Sequence, residues 1–195
     1  MIYELRTYLF HPANFPAYLA AVERPEVAKA LRPYLKGFWA SESGMLSRVL
    51  HLWEYRDRAE RAEARAKRAA LPAMQLFYRE VIPMVREQRS VICEGRSAEP
   101  SGKKRGAYHR LAITLAPGAN GEAVARTLET RLAEGFEVAA SLRVRLLEQP
   151  TAPIRELVFM LATPSGADLA DTFRDPALAA IETDLWTPLG LSPLQ

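Results

Sequence analysis

The chain has one cysteine, Cys93, so no disulfide can form within it and no multi-cysteine metal site can be assembled. Cys93 lies in the apolar run Ser90-Val91-Ile92-Cys93, with no neighbouring histidine or helix start to activate its thiol, and reads as a small hydrophobe in a strand. Histidine is scarce as well. Of the three, His11 and His109 fall near strand ends and His51 inside a strand, with no partner at metal-ligand spacing. There is no glycine-rich phosphate loop and no G-x-S-x-G elbow, which removes the commonest nucleotide and hydrolase signatures. No apolar run approaches the ~20 residues of a membrane span, and Met1 leads directly into a strand-like segment without a basic-then-apolar leader. A cytoplasmic protein without a membrane span or cofactor is therefore expected. The formal charge of +3 is too small and dispersed for a nucleic-acid binder.

What is present is a globular composition, 49% apolar and 25% charged, over 195 residues, enough for two compact units of roughly 90 to 100 residues each. Ile2 to Phe10 alternates as a strand. A helix follows from Asn14 to Leu31, capped by Asn14 and kinked at Pro25. The segment from Phe38 to Tyr55 is a hairpin in which Glu42-Ser43-Gly44-Met45 turns the chain, with Gly44 supplying the positive φ. Asp57 caps an Ala-, Arg- and Glu-rich helix that Pro72 breaks. A second helical piece spans Met74 to Val85, and a fourth strand spans Gln88 to Glu94. The order β-α-β-β-α-β is that of a ferredoxin-like unit, whose two helices cover one face of a four-stranded antiparallel sheet.

Residues 96–106 are rich in Gly, Ser, Pro and basic residues and read as a linker between a first unit, 1–95, and a second, 107–195. The second unit repeats the pattern in degenerate form. It has a strand from His109 to Leu115, a helix closed by Gly135, strands from Phe136 to Glu148 and Arg155 to Thr163 joined by a turn over 149–153, and a bent helix from Asp168 to Trp186. Its sixth element is missing or reduced to the tail. The fold class is accordingly α+β, tandem ferredoxin-like repeats whose open sheet faces pack on each other in a dimeric α/β barrel-type architecture, within one chain or between chains.

Three motifs carry a resemblance: Tyr-Glu-Leu-Arg-Thr-Tyr from Tyr3 to Tyr8, G-x-W-x-S-E-x-G from Gly37 to Gly44, and V-x-H-L-W-x-Y-x-D-x-x-x-R from Val49 to Arg61. Over residues 1 to about 95 the chain resembles the NIPSNAP family, whose members are similar to the dimeric α/β barrel proteins. The resemblance implies tandem ferredoxin-like repeats, homo-oligomers and, in bacterial members, no established biochemical activity. Eukaryotic relatives are tied to mitochondria, vesicle traffic and mitophagy, roles not expected of a chain that opens on a strand.

The alternation of the first unit places Leu5, Leu50, Leu52 and Ile92 on the face expected to pack on helices. Glu4, Arg6, Tyr8, Trp39, Ser41, His51, Trp53 and Tyr55 then share the opposite face, the inventory of a pocket for a small apolar or aromatic ligand in the barrel cavity. His51 is the candidate catalytic base, oriented by Glu4 or Glu42. The plainer account makes Glu4 and Arg6 a buried ion pair, His51 a hydrogen-bonded core residue and the tryptophans barrel filling. The basic run Arg56, Arg58, Arg61, Arg65, Lys67 and Arg68 reads as a solvated helix face. Three functions stay open: a small-molecule-binding protein; a cofactor-independent monooxygenase-like enzyme, since α/β barrel relatives use such cavities for aromatic polyketides or haem; and an interaction or assembly module.

Overall fold

A computed structural model describes residues 1–99, 106–145, 148–149, 151–162 and 176–194. Eight strands form a closed antiparallel barrel: β1 (Ile2–Phe10), β2 (Leu35–Ser41), β3 (Arg48–Tyr55), β4 (Val85–Ser97), β5 (Tyr108–Leu115), β6 (Glu137–Arg145), β7 (Ile154–Ala162) and β8 (Leu178–Pro188). Around the barrel the order is β1-β3-β2-β8-β5-β7-β6-β4. Each half contributes a four-stranded sheet with its first and third strands central, and the halves join at two seams, Trp39–Ser41 of β2 against β8 and Glu94–Ser97 of β4 against β6. The open face of each half is thus closed by the other half of the same chain.

Local chemistry sets the element ends. Pro25 splits the expected first helix into α1 (Phe15–Val22) and α2 (Pro25–Leu31); the Asn14 side chain makes no capping bond. Asp57 does cap α3 (Arg58–Ala70), accepting from the Glu60 amide at 2.8 Å. Pro72 opens α4 (Pro72–Val81), and α5 (Gly121–Gly135) is capped by Asn120. Gly44 takes φ +69° in the β2–β3 turn.

Two expectations are corrected. Leu178–Pro188 is a strand, β8, where a helix was expected, and it supplies the element thought missing; residues 168–175 of that expected helix lie outside the described residues. The Ala-rich local preference for helix yields to pairing with β5 along residues 178–186. β4 also runs on to Ser97, into the segment expected to be linker, of which 100–105 lie outside the described residues. Position 150 of the expected 149–153 turn lies outside them too.

For β1 and β3 the faces are exchanged relative to expectation, whereas Trp39 of β2 lies away from the helices and Ile92 of β4 lies on the outer side, as expected. Tyr3, Leu5, Trp39, Leu50, Leu52, Val91 and Cys93 point into the bore, where they meet Tyr108, Leu142, Val144, Val158, Met160 and Trp186 of the second half. Phe38, Val49, Trp53 and Tyr55 point outward to a layer built with Tyr18, Val22, Val27, Met74, Phe77 and Val81 of α1, α2 and α4. The reason is space. An eight-stranded bore has room for the side chains that fill it, and aliphatic residues with a few rings do so, whereas the helix layer presents a broad apolar surface that the larger aromatic floor matches.

Candidate functional site

The outward face of β1 and β3 brings six of the eight expected site residues together: Glu4, Arg6, Tyr8, His51, Trp53 and Tyr55. Trp39 and Ser41 are not among them. Trp39 is fully buried in the bore, edge-on to Tyr108 with centroids 5.5 Å apart, and the Ser41 hydroxyl accepts from the Arg48 amide at 3.2 Å beside the hairpin. The bore itself is packed, with Trp39, Leu50, Leu52, Tyr108, Met160 and Trp186 fully buried in it. At one end, a void of about 20 Å³ beside Leu5, Thr7, Arg110 and Val158 has space for about one water. Among the described residues the bore is filled by side chains, with space at that end for about one water.

The outer face holds a charged cluster instead. The Glu4 carboxylate is fully buried, and one of its oxygens, Oε1, accepts from Arg6 Nε at 2.8 Å, Arg61 Nη2 at 2.6 Å, Arg65 Nη1 at 3.2 Å and Ser90 Oγ at 2.7 Å. Its other oxygen has no hydrogen-bond partner. Burial alone would raise the Glu4 pKa, but Arg61, Arg6 and Ser90 outweigh it and hold the carboxyl at about 2. Arg6 also donates from Nη1 to the Tyr8 hydroxyl at 3.1 Å. Arg68, further along the same stripe of α3, is 6% exposed and lies 4.4 Å over the Trp53 ring. The Tyr55 phenol feels Arg68, Glu4 and Arg6 together, so these groups form one neighbourhood.

His51 sits beside this cluster in an aromatic cage. Its ring centroid is 4.5 Å from Phe38, 5.3 Å from Tyr8 and 5.8 Å from Trp53, and Nε2 is 3.1 Å from the Tyr18 hydroxyl. Nδ1 has no hydrogen-bond partner, so either tautomer leaves one ring nitrogen unpaired. Burial first, and then the Arg6 and Arg68 charges, lower its pKa to about 3, and burial raises that of Tyr18 well above the ordinary tyrosine value. At neutral pH both are uncharged. Neither Glu4 nor Glu42 is hydrogen-bonded to His51, so the expected orienting carboxylate is absent among the described contacts.

Sequence reasoning missed Tyr18, Ser90 and the inward turn of three arginines. Arg61, Arg65 and Arg68 recur at i, i+4 and i+7 on α3 with Ala64 buried between them, so a stripe read as solvated faces the sheet. Among the described residues no group of three or more His, Cys, Asp or Glu side chains is placed to hold a metal ion, and no helix is long and apolar enough to cross a membrane.

The NIPSNAP family profile matches residues 3–95. The human protein NipSnap homolog 3B is 36% identical over 64 residues, 32% of this chain and 26% of that protein, so the match spans about a quarter of that curated relative. A NIPSNAP family protein of unknown function from Agrobacterium tumefaciens is 32% identical over 47% of this chain and 85% of its own, with a TM-score of 0.44. A candidate monooxygenase from Lactobacillus acidophilus is 9% identical but aligns over 96% of this chain and 93% of its own at a TM-score of 0.64, a likeness of fold alone.

Proposed function

Because this chain belongs to the NIPSNAP family, as its first half shows, we propose that it is a small-molecule-binding protein whose site is the polar layer between α3 and strands β1 and β3. One observation carries this reading: α3 rests on the sheet through arginines. A helix that serves only as cover buries a stripe of Leu, Ile or Val, whereas the buried residues of α3 are Ala64 and Arg68, with Arg61 and Arg65 reaching down to Glu4. Such an interface gains little from apolar burial and carries the cost of desolvating charge, a cost that a binding function rather than cover would account for. Beside it stand the rings of Tyr8, His51 and Trp53, which suit an aromatic ligand.

The enzyme reading has less support. A histidine with a pKa near 3 is a poor general base, because a useful one titrates near the working pH. A thermal-shift screen of small aromatic alcohols, aromatic acids and phosphate esters tests the proposal. At least one class should raise the melting temperature saturably in the natural protein and not in Arg68→Met. A screen in which no class moves the transition, or in which Arg68→Met responds equally, would overturn it.

A second reading, assembly with further copies of the chain, is favoured by residues 86–90 of β4 and 179–183 of β8. Each run is exposed and hydrogen-bonds to a neighbouring strand on one side only among the described residues. Sedimentation analysis tests it: a monomer at all concentrations would remove this reading.

A further inference from the structure

We propose that Arg6, Arg61, Arg65 and Arg68 form an oxyanion site that receives the carboxylate or phosphate group of a ligand. The inference rests on the binding function proposed above and adds the chemical class of what binds. Four guanidiniums share this layer with one carboxylate, Glu4, and the donors that reach it converge on a single oxygen. A cluster that existed only to hold α3 in place would be near charge balance, since unpaired buried cations cost stability. Here the excess is visible atom by atom: Arg6 Nη2 and Arg61 Nε are buried without a hydrogen-bond partner, and Arg68 meets the Tyr55 phenol and the Trp53 ring but no carboxylate among the described residues. Arg68 is the most telling, because it is nearly fully enclosed and its contacts with Trp53 and Tyr55 leave its charge without an anion.

The site also has an entrance. The Arg61 and Arg65 side chains are 23% and 44% exposed, and Ser90, whose hydroxyl already donates to Glu4, lies on the exposed half of β4. Crowding of like charge is felt there, for partial burial and then Arg6 lower the Arg65 pKa, with Glu4 only partly offsetting them. An arriving oxyanion would relieve that repulsion and accept from planar donors suited to two-point contact.

The test is calorimetric titration at low ionic strength with inorganic phosphate, benzoate and the neutral benzyl alcohol. Phosphate and benzoate should each bind saturably. Arg65→Gln should weaken both about tenfold, the size of one charge-assisted hydrogen bond, while Arg126→Gln on the exposed side of α5 should leave both unchanged. Glu4→Gln, which removes the competing anion, should tighten phosphate, a gain that loss of structure cannot mimic. If Glu4→Gln does not fold, the comparison of Arg65→Gln with Arg126→Gln decides alone. Saturable binding of benzyl alcohol with no advantage for benzoate would overturn the oxyanion site and leave the binding function standing. No saturable binding of any of the three would overturn the oxyanion site and count against the binding function. Equal losses in Arg65→Gln and Arg126→Gln, or a folded Glu4→Gln that binds phosphate no tighter, would also overturn the site.

Discussion

Two residues of the outer layer contribute to the protein's response to acid, in different ranges. His51 has its folded-state pKa lowered from 6.5 to about 3, so it stays neutral where an unfolded chain would already be protonated. Its contribution is intact above pH 6.5 and is lost as pH falls from there toward 3. Between pH 6.5 and about 5 that loss is about 2 kcal/mol, one proton over one and a half pH units. Denaturant unfolding of His51→Gln across this interval should show a shallower decline than the natural protein; parallel curves would contradict the assignment. Glu4, held at about 2, works lower down. Its stabilisation is present above about pH 4.5 and fades as pH falls toward 2. At neutral pH, Glu4→Gln should cost about 3 kcal/mol, because it strands guanidiniums that had an anion. Added phosphate should restore more of the melting temperature in that variant than in the natural protein.

At the scale of elements, the sequence disclosed where most strands lie but not which way they face. Ile2 to Phe10 was legible to the residue because alternation, an opening strand and a following proline agree. The Asp57 cap and the Gly44 turn were legible because their local chemistry is self-sufficient. The faces of β3 were not. Leu50 and Leu52 on one side and His51, Trp53 and Tyr55 on the other are both compatible with burial, and only the size of the opposing surface decides which side meets helices. β8 was hidden for a related reason. Its Ala-Ala-Ile-Glu run favours helix locally, and the free edge of β5 that recruits it is some sixty residues away along the chain. Of the site, Glu4, Arg6 and His51 were legible as a group. Arg68 was not, since arginine at helical spacing ordinarily means solvent. Packing within β2 gives a prediction at this scale. A methyl group at Gly37 would stand 1.8 Å from the Trp39 ring, so Gly37→Ala should cost about 1 to 3 kcal/mol or more and alter the near-ultraviolet circular dichroism of the buried indole.

For the molecule as a whole, each sheet is the lid of the other. The bore-facing residues Tyr3, Leu5, Trp39, Leu50 and Leu52 are covered by strands from the second half, and the seams at β2–β8 and β4–β6 tie that cover down. Residues 1–99 expressed alone should therefore self-associate or aggregate; a soluble monomer of that fragment would contradict the account. Closure within one chain also bears on the proposed site. With the described bore residues packed against one another, the proposal puts the ligand in the polar seam beneath α3, and that is the central claim. Hydrogen–deuterium exchange of the intact protein with and without saturating phosphate tests it most directly. Slower exchange in Arg58–Ala70 and Ile2–Phe10, with Tyr108–Leu115 and Ile154–Ala162 unchanged, is the predicted result. Protection confined to those second-half strands, or protection nowhere, would contradict it.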